Sequence, residues 1–197
     1  MSVRPSDGQL IAQLQSGDLN VLGVLYERHK TSVYRTALAI TRDPAAAEDI
    51  LQDCFLRIYE RAHLIDNSLP LKPWLYRVTV NMAYNWERRR NRWQTPLDGL
   101  DEMLDWLAGP SQHSPERHAE MSDVRSEVMD AISSLNAKQR IVVILFYMNA
   151  LNVKEIAAIL GCPVGTVKSR LHYGRENLRH KLEPKHHTLT EMAYAFA

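Results

Sequence analysis

Residues 165–173 combine Gly165, Thr166, Lys168, Ser169, Arg170, His172 and Tyr173, a run of small, polar, basic and aromatic side chains just after Gly161-Cys162-Pro163. Such a surface suits insertion into a major groove, where polar side chains read base edges while cations meet phosphates. The residues before it explain how it would be held. Val153 to Leu160, with Ile156, Ala157 and Leu160 on one face, reads as a short helix ending at Gly161, and a second helix opens at Pro163 after a three-residue turn. That is the spacing of a helix-turn-helix. Val167, Leu171, Gly174, Leu178 and Leu182 step by three or four and form the stripe that packs the second helix down. A helical hairpin with a merely solvated face is the alternative.

A second set lies on the helix opened by Lys72-Pro73. Arg77, Asn81, Tyr84 and Arg88 share one wheel face, opposite Leu75, Val78, Met82 and Trp86. Cations that track a backbone, an amide that bonds a base edge and a ring that stacks suit unpaired nucleic acid. On the helix after Asp43-Pro44, Leu51, Cys54, Phe55 and Ile58 form the apolar face, while Glu48, Asp49, Gln52 and Asp53 crowd the other. An acidic, amide-bearing face repels DNA and fits a protein partner with a basic surface.

The elements that must position these sets are all helical. Eight helices are predicted, at 7–16, 19–41, 44–61, 73–92, 122–134, 137–148, 153–160 and 163–180. Asn136 with Gln139 and Asn152 with Glu155 have the spacing of reciprocal caps. Ile141 to Tyr147 is β-branched enough for a strand, but a cap precedes it and no second strand is available to pair with it.

The 197 residues carry a net charge of only +1, which conceals an uneven order. Tyr76 to Trp93 holds five arginines against one glutamate, and Val164 to Lys185 six basic residues against two glutamates. Between them, Gln94 to Asp130 holds nine acidic residues against two arginines, with the breaker cluster Gly109-Pro110-Ser111 to Ser114-Pro115. The expected organisation is therefore two small helical domains, 6–93 and 122–182, joined by a flexible acidic linker at 94–121 and followed by a tail at 183–197.

Other function classes find little support. The longest apolar run, Ile141 to Met148, is far below the roughly 20 residues of a membrane span, and the N-terminus has no secretory core, so a cytoplasmic protein with no membrane insertion is expected. No nucleotide-binding, metalloprotease or nucleophile-elbow motif is present, so no enzyme, catalytic residue or cofactor is expected. His113, His118, His186 and His187 lack partners at ligand spacing, so no metal is expected. Cys54 reads as core and Cys162 as a turn residue.

The order Gly17-Asp18, Leu25-Tyr26, Val33-Tyr34, then Ala-Glu-Asp-Ile-Leu-Gln-Asp-Cys-Phe at 47–55, Pro-Trp-Leu-Tyr-Arg-Val-Thr-Val-Asn at 73–81 and Gly-Cys-Pro-Val-Gly-Thr-Val-Lys-Ser-Arg-Leu at 161–171 resembles the extracytoplasmic-function (ECF, group 4) sigma factors of bacterial RNA polymerase. The resemblance implies that 6–93 is sigma region 2, in which Asp49, Gln52, Asp53 and Phe55 dock on a coiled coil of the largest polymerase subunit. It implies that 63–72 is a loop capturing a flipped base of the −10 element, with Arg77, Asn81, Tyr84 and Arg88 on the adjoining helix. Residues 122–182 would be sigma region 4, reading the −35 element with Thr166, Lys168, Ser169, Arg170, His172 and Tyr173 and resting on the polymerase flap. An anti-sigma factor is a further expected partner. Tyr173-Gly174 stands where the family often has arginine-alanine, and the 183–197 tail exceeds the family's usual end. A free-standing helix-turn-helix regulator, the other reading, would explain only the C-terminal half.

Overall fold

The structure is a computed structural model that describes residues 4–93 and 127–182; the expected linker and tail lie outside the described residues. All regular elements among those residues are helical: α1 (Asp7–Gln15), α2 (Asn20–Thr41), α3 (Pro44–Arg61), a 3₁₀ turn (Ala62–Leu64), α4 (Leu71–Trp93), α5 (127–133), α6 (Ala137–Tyr147), α7 (Val153–Leu160) and α8 (Val164–Leu182).

Local chemistry sets most of the ends. Asp43 accepts a hydrogen bond from the Ala46 amide at 3.0 Å, with Pro44 supplying a first position that needs no donor. Asn152 and Glu155 cap α7 reciprocally, and Gly161 closes it with φ 60°, a left-handed value that glycine adopts without Cβ strain. Ser6 and Gln9 form the same reciprocal box at α1, a cap the sequence reading passed over. At α6 only half of the expected box forms. Asn136 accepts from the Gln139 amide, but Gln139 Oε1 accepts instead from Asn177 Nδ2 at 3.1 Å and so ties α6 to α8. Helix α4 begins two residues before Pro73, which sits in the first turn where a missing N–H breaks no intrahelical bond.

In the N-terminal unit α2 packs against α3 and α4, with α1 laid across α2. Leu25, Ile40, Ile58 and Leu75 are fully buried between them; each such side chain contributes about 1.5–3 kcal/mol by leaving water. In the C-terminal unit α6 and α7 both pack on α8. There the expected stripe is the buried one, Val167, Leu171, Gly174, Leu178 and Leu182. Gly174 lets α8 approach closely, because a Cβ there would stand 2.9 Å from Val143 Cγ2.

The two units touch, which nothing in the sequence pattern foretold. Helix α6 packs on α2 and α7 on α4. Asn149 Nδ2 donates to Thr36 Oγ1 at 3.0 Å across the junction, and Arg140 of α6 is buried against α2 and α4.

Candidate nucleic-acid and polymerase interface

Helix α8 presents Lys168, Ser169, His172 and Tyr173 to solvent, and Tyr173 is 58 % exposed. The His172 and Tyr173 rings meet edge to face at 5.4 Å, which orients both. Thr166 and Arg170 are half-buried. Arg170 turns its guanidinium back toward Cys162 Sγ at 4.0 Å, so it lies beside the turn and not wholly on the outward face. Arg175, which sequence reading missed, lies over Phe146 and Tyr147 at 5.2 and 5.6 Å and fastens α8 to the end of α6.

On α4 the expected four-residue stripe is divided. Tyr76, Thr79, Val80, Ala83 and Glu87 are the buried side, whereas Val78, Met82 and Trp86, expected in the core, are only half-buried. The buried face is rotated because α4 packs on α2 and α3 and also on the second unit. Tyr84 is half-buried against the core, so it does not join an exposed row.

Arg77 and Asn81 line a cavity of about 290 Å³ together with Arg57, Arg61, Leu64, Ile65, Trp74 and Val78. Three guanidinium groups, an indole and a carboxamide thus surround one cavity. Arg57, Arg61 and Trp74 were not foreseen; the i, i+4 arginines at the end of α3 were the available signal. Leu64, Ile65, Trp74 and Arg77 also line a neighbouring, mainly apolar cavity of about 460 Å³, whose far wall is Ala158 and Ile159 of α7. Asp66 sharpens the intervening loop by accepting from the Ser68 amide and hydroxyl at 2.9 and 2.6 Å, bonds that hold its carboxyl below the usual range.

Arg88 belongs to a different place. It lines a groove of about 610 Å³ between α3 and α4 with Asp49, Asp53, Arg57, Trp86 and Arg89. Asp49, Gln52 and Asp53 are exposed as expected, but Phe55 is buried, its ring edge-on to Tyr26 at 5.0 Å. Phe55 therefore supports the acidic face from beneath. Cys54 is buried beside Thr79 Oγ1, and burial pushes its thiol up to about 11.

A helix-turn-helix with an exposed basic helix, beside a helical unit bearing an arginine- and tryptophan-lined cavity, defines a two-unit protein of nucleic-acid recognition. Sigma-70 region 2 matches residues 25–94 and Sigma-70 region 4 matches 125–178. The chain is 34 % identical over 164 residues to the ECF RNA polymerase sigma factor SigL of Mycobacterium tuberculosis, covering 83 % of this chain and 89 % of that one. It is 31 % identical over 180 residues to the ECF RNA polymerase sigma factor SigW of Bacillus subtilis, covering 87 % and 94 %. The chain belongs to the ECF sigma factors of RNA polymerase. Its fold is similar to that of CnrH, solved in complex with the cytosolic domain of CnrY, with a TM-score of 0.66 at 23 % identity over 92 % of this chain and 99 % of that one. It is also similar to the sigma factor RpoE solved with the anti-sigma factor NepR from Bartonella quintana, with a TM-score of 0.61 at 25 % identity over 79 % and 92 %.

Proposed function

We propose that this sigma factor binds core polymerase through residues 6–93, directs it to promoters through both units, and holds one unstacked −10 base in the cavity of Arg77 and Asn81. The observation that carries the reading is that cavity: Trp74 offers a face for stacking, Asn81 a donor and an acceptor, and three arginines the charge that attracts phosphate. Residues 122–182 read duplex at the −35 element, with Lys168, Ser169, His172 and Tyr173 outward and Thr166 and Arg170 at the margin, and they rest on the polymerase flap.

Asp49, Gln52 and Asp53 meet the basic coiled coil of the largest subunit, with Phe55 beneath them and Arg88 at the groove's other wall. Residues 94–121 join the units, and 183–197 have no assigned part. The protein acts by binding, without catalysing a reaction, in the cytoplasm where polymerase works. An anti-sigma factor is a further partner, supported by the complexes in which its structural relatives were solved.

Core polymerase supplemented with this protein, followed by sequencing of the transcripts, tests the reading. Start sites sharing two elements at fixed spacing are expected; transcripts indistinguishable from those of core alone overturn it. Asp49→Lys with Asp53→Lys places like charges against the partner and should weaken core binding by several kcal/mol. Asn81→Ala should slow opening of duplex promoters in permanganate footprints while duplex affinity holds. Lys168→Ala should weaken all promoters alike and flatten the salt dependence.

A further inference from the structure

The wall of the base cavity is held from outside the reading surface. Gln15, the last residue of α1, donates from Nε2 to the carbonyl oxygens of Ala62 and Ile65, both at 2.9 Å, and its Oε1 accepts from Asn67 Nδ2 at 2.9 Å. Those two carbonyls bracket Leu64, which is 71 % exposed and lines both cavities. The turn that carries Leu64 is a single 3₁₀ turn closed by the Ile65 amide, which donates to the Ala62 carbonyl at 3.0 Å; Gln15 adds a second bond to that carbonyl and holds the Ile65 carbonyl, just past the turn, from α1.

The chemistry of this clamp is specific. One side chain supplies two donors and one acceptor at a fixed length; a glutamate lacks the donors, a methionine lacks all three, and an asparagine is one methylene short. A second contact acts on the same loop. A Cβ at Gly8 of α1 would overlap the Asn67 carbonyl oxygen, so α1 sets the loop's depth through bare backbone as well as through Gln15. Helix α1 is itself fixed to α2, since Asp7 bonds Arg28 at 2.5 Å and His29 at 2.8 Å. An unbroken chain of contacts runs from α2 through α1 to Leu64.

We infer that Gln15, with Asn67 and Gly8, is a positioning residue for −10 specificity: it sets where Leu64 and Ile65 stand against the incoming base without touching that base. The inference rests on the cavity's role proposed above. Releasing the clamp lets the turn move, so discrimination among bases at one −10 position falls while core binding and −35 preference hold.

The test uses the full chain with core polymerase on a promoter library randomised at the −10 and −35 elements. The variants are Gln15→Met, Asn67→Ala and Gly8→Ala, with Leu64→Ala and Asn81→Ala as direct cavity variants. The three clamp variants are expected to reduce discrimination at one −10 position by about tenfold, with an unchanged −35 profile. A merely structural role would scale all promoters together, and that result overturns the inference. Asn67 is exposed at the far end of the network, so Asn67→Ala stays informative if Gln15→Met folds poorly. If Leu64→Ala and Asn81→Ala shift the −10 profile but all clamp variants leave it unmoved, the inference falls and the cavity reading stands. If the direct variants also leave it unmoved, the cavity reading fails and the inference with it.

Discussion

Glu87 Oε1 and Arg140 Nη1 lie 2.8 Å apart, with side chains only 9 % and 4 % exposed, although one belongs to α4 and the other to α6. Arg140 also donates to the carbonyl oxygens of Ile40, Ser133 and Leu135 at 2.8–2.9 Å, so one guanidinium joins the end of α2, α4 and the start of its own unit. Glu87 Oε2 and Arg140 Nε have no partner among the described residues, so the site leaves part of its desolvation uncompensated. Removing one charge is then worse than removing both. Arg140→Met should destabilise the chain by about 3–5 kcal/mol, while the double change Glu87→Leu with Arg140→Met should recover most of that loss. Urea unfolding of the single and double variants measures it, and additive losses would contradict the coupling.

Ala150, between α6 and α7, has φ 53°, where a Cβ is strained. Ala150→Gly should raise stability by about 0.5–1 kcal/mol, read as a higher urea midpoint with unchanged slope. The turn residue is exposed, so no packing is lost with the methyl.

Gly174→Ala should do the opposite despite alanine's better helix propensity. Propensity favours alanine by about 1 kcal/mol, but the added methyl meets Val143 Cγ2 in a fully buried layer where overpacking costs about 1–3 kcal/mol. A net loss of about 1 kcal/mol is expected, and the added Val143→Ala change should offset part of it by removing the clash. Thermal unfolding of the three proteins decides the sign.

His29 gives a pH dependence. It is 3 % exposed beside Asp7, and burial, aided by Lys72 and Arg28, outweighs the carboxylate and lowers its pKa below the usual value. The unfolded chain therefore binds a proton at higher pH than the folded one. Its contribution is complete above about pH 6.5 and is lost as pH falls through the folded value. His29→Gln should flatten that acid-side decline, seen as a smaller difference between urea midpoints at about pH 7.5 and 5.5.

Elements governed by their own neighbours were legible in the sequence. Asp43 and Asn152 start helices because their side chains reach amides two or three residues on, and the α8 stripe is buried as spaced because α8 packs on one side only. Helix α4 was misread by part of a turn because it has neighbours on two sides, the second being the other unit. Glu87 looked like the lone acid in a solvated arginine run, yet its partner lies 53 positions away and no periodicity links them. The cavity beside Arg77 was half legible: Arg77 and Asn81 share a helix face, but Arg57, Arg61 and Trp74 join them only once α3 and α4 are packed.

The contacts between α2 and α6 and between α4 and α7 have a consequence for length. Elements named for positions −10 and −35 are centred roughly 25 base pairs apart, about 85 Å along B-form DNA at 3.4 Å per step. If each unit sits on its own element, as proposed above, groups bonded at about 3 Å, as Thr36 is to Asn149, cannot remain so. On the reading proposed above, the juxtaposition is a folded ruler: promoter engagement would unfold it to full span, and the free energy of the Arg140 junction would be subtracted from the affinity for two elements read together. That subtraction would fall on simultaneous engagement, leaving each single element's intrinsic sequence preference unchanged.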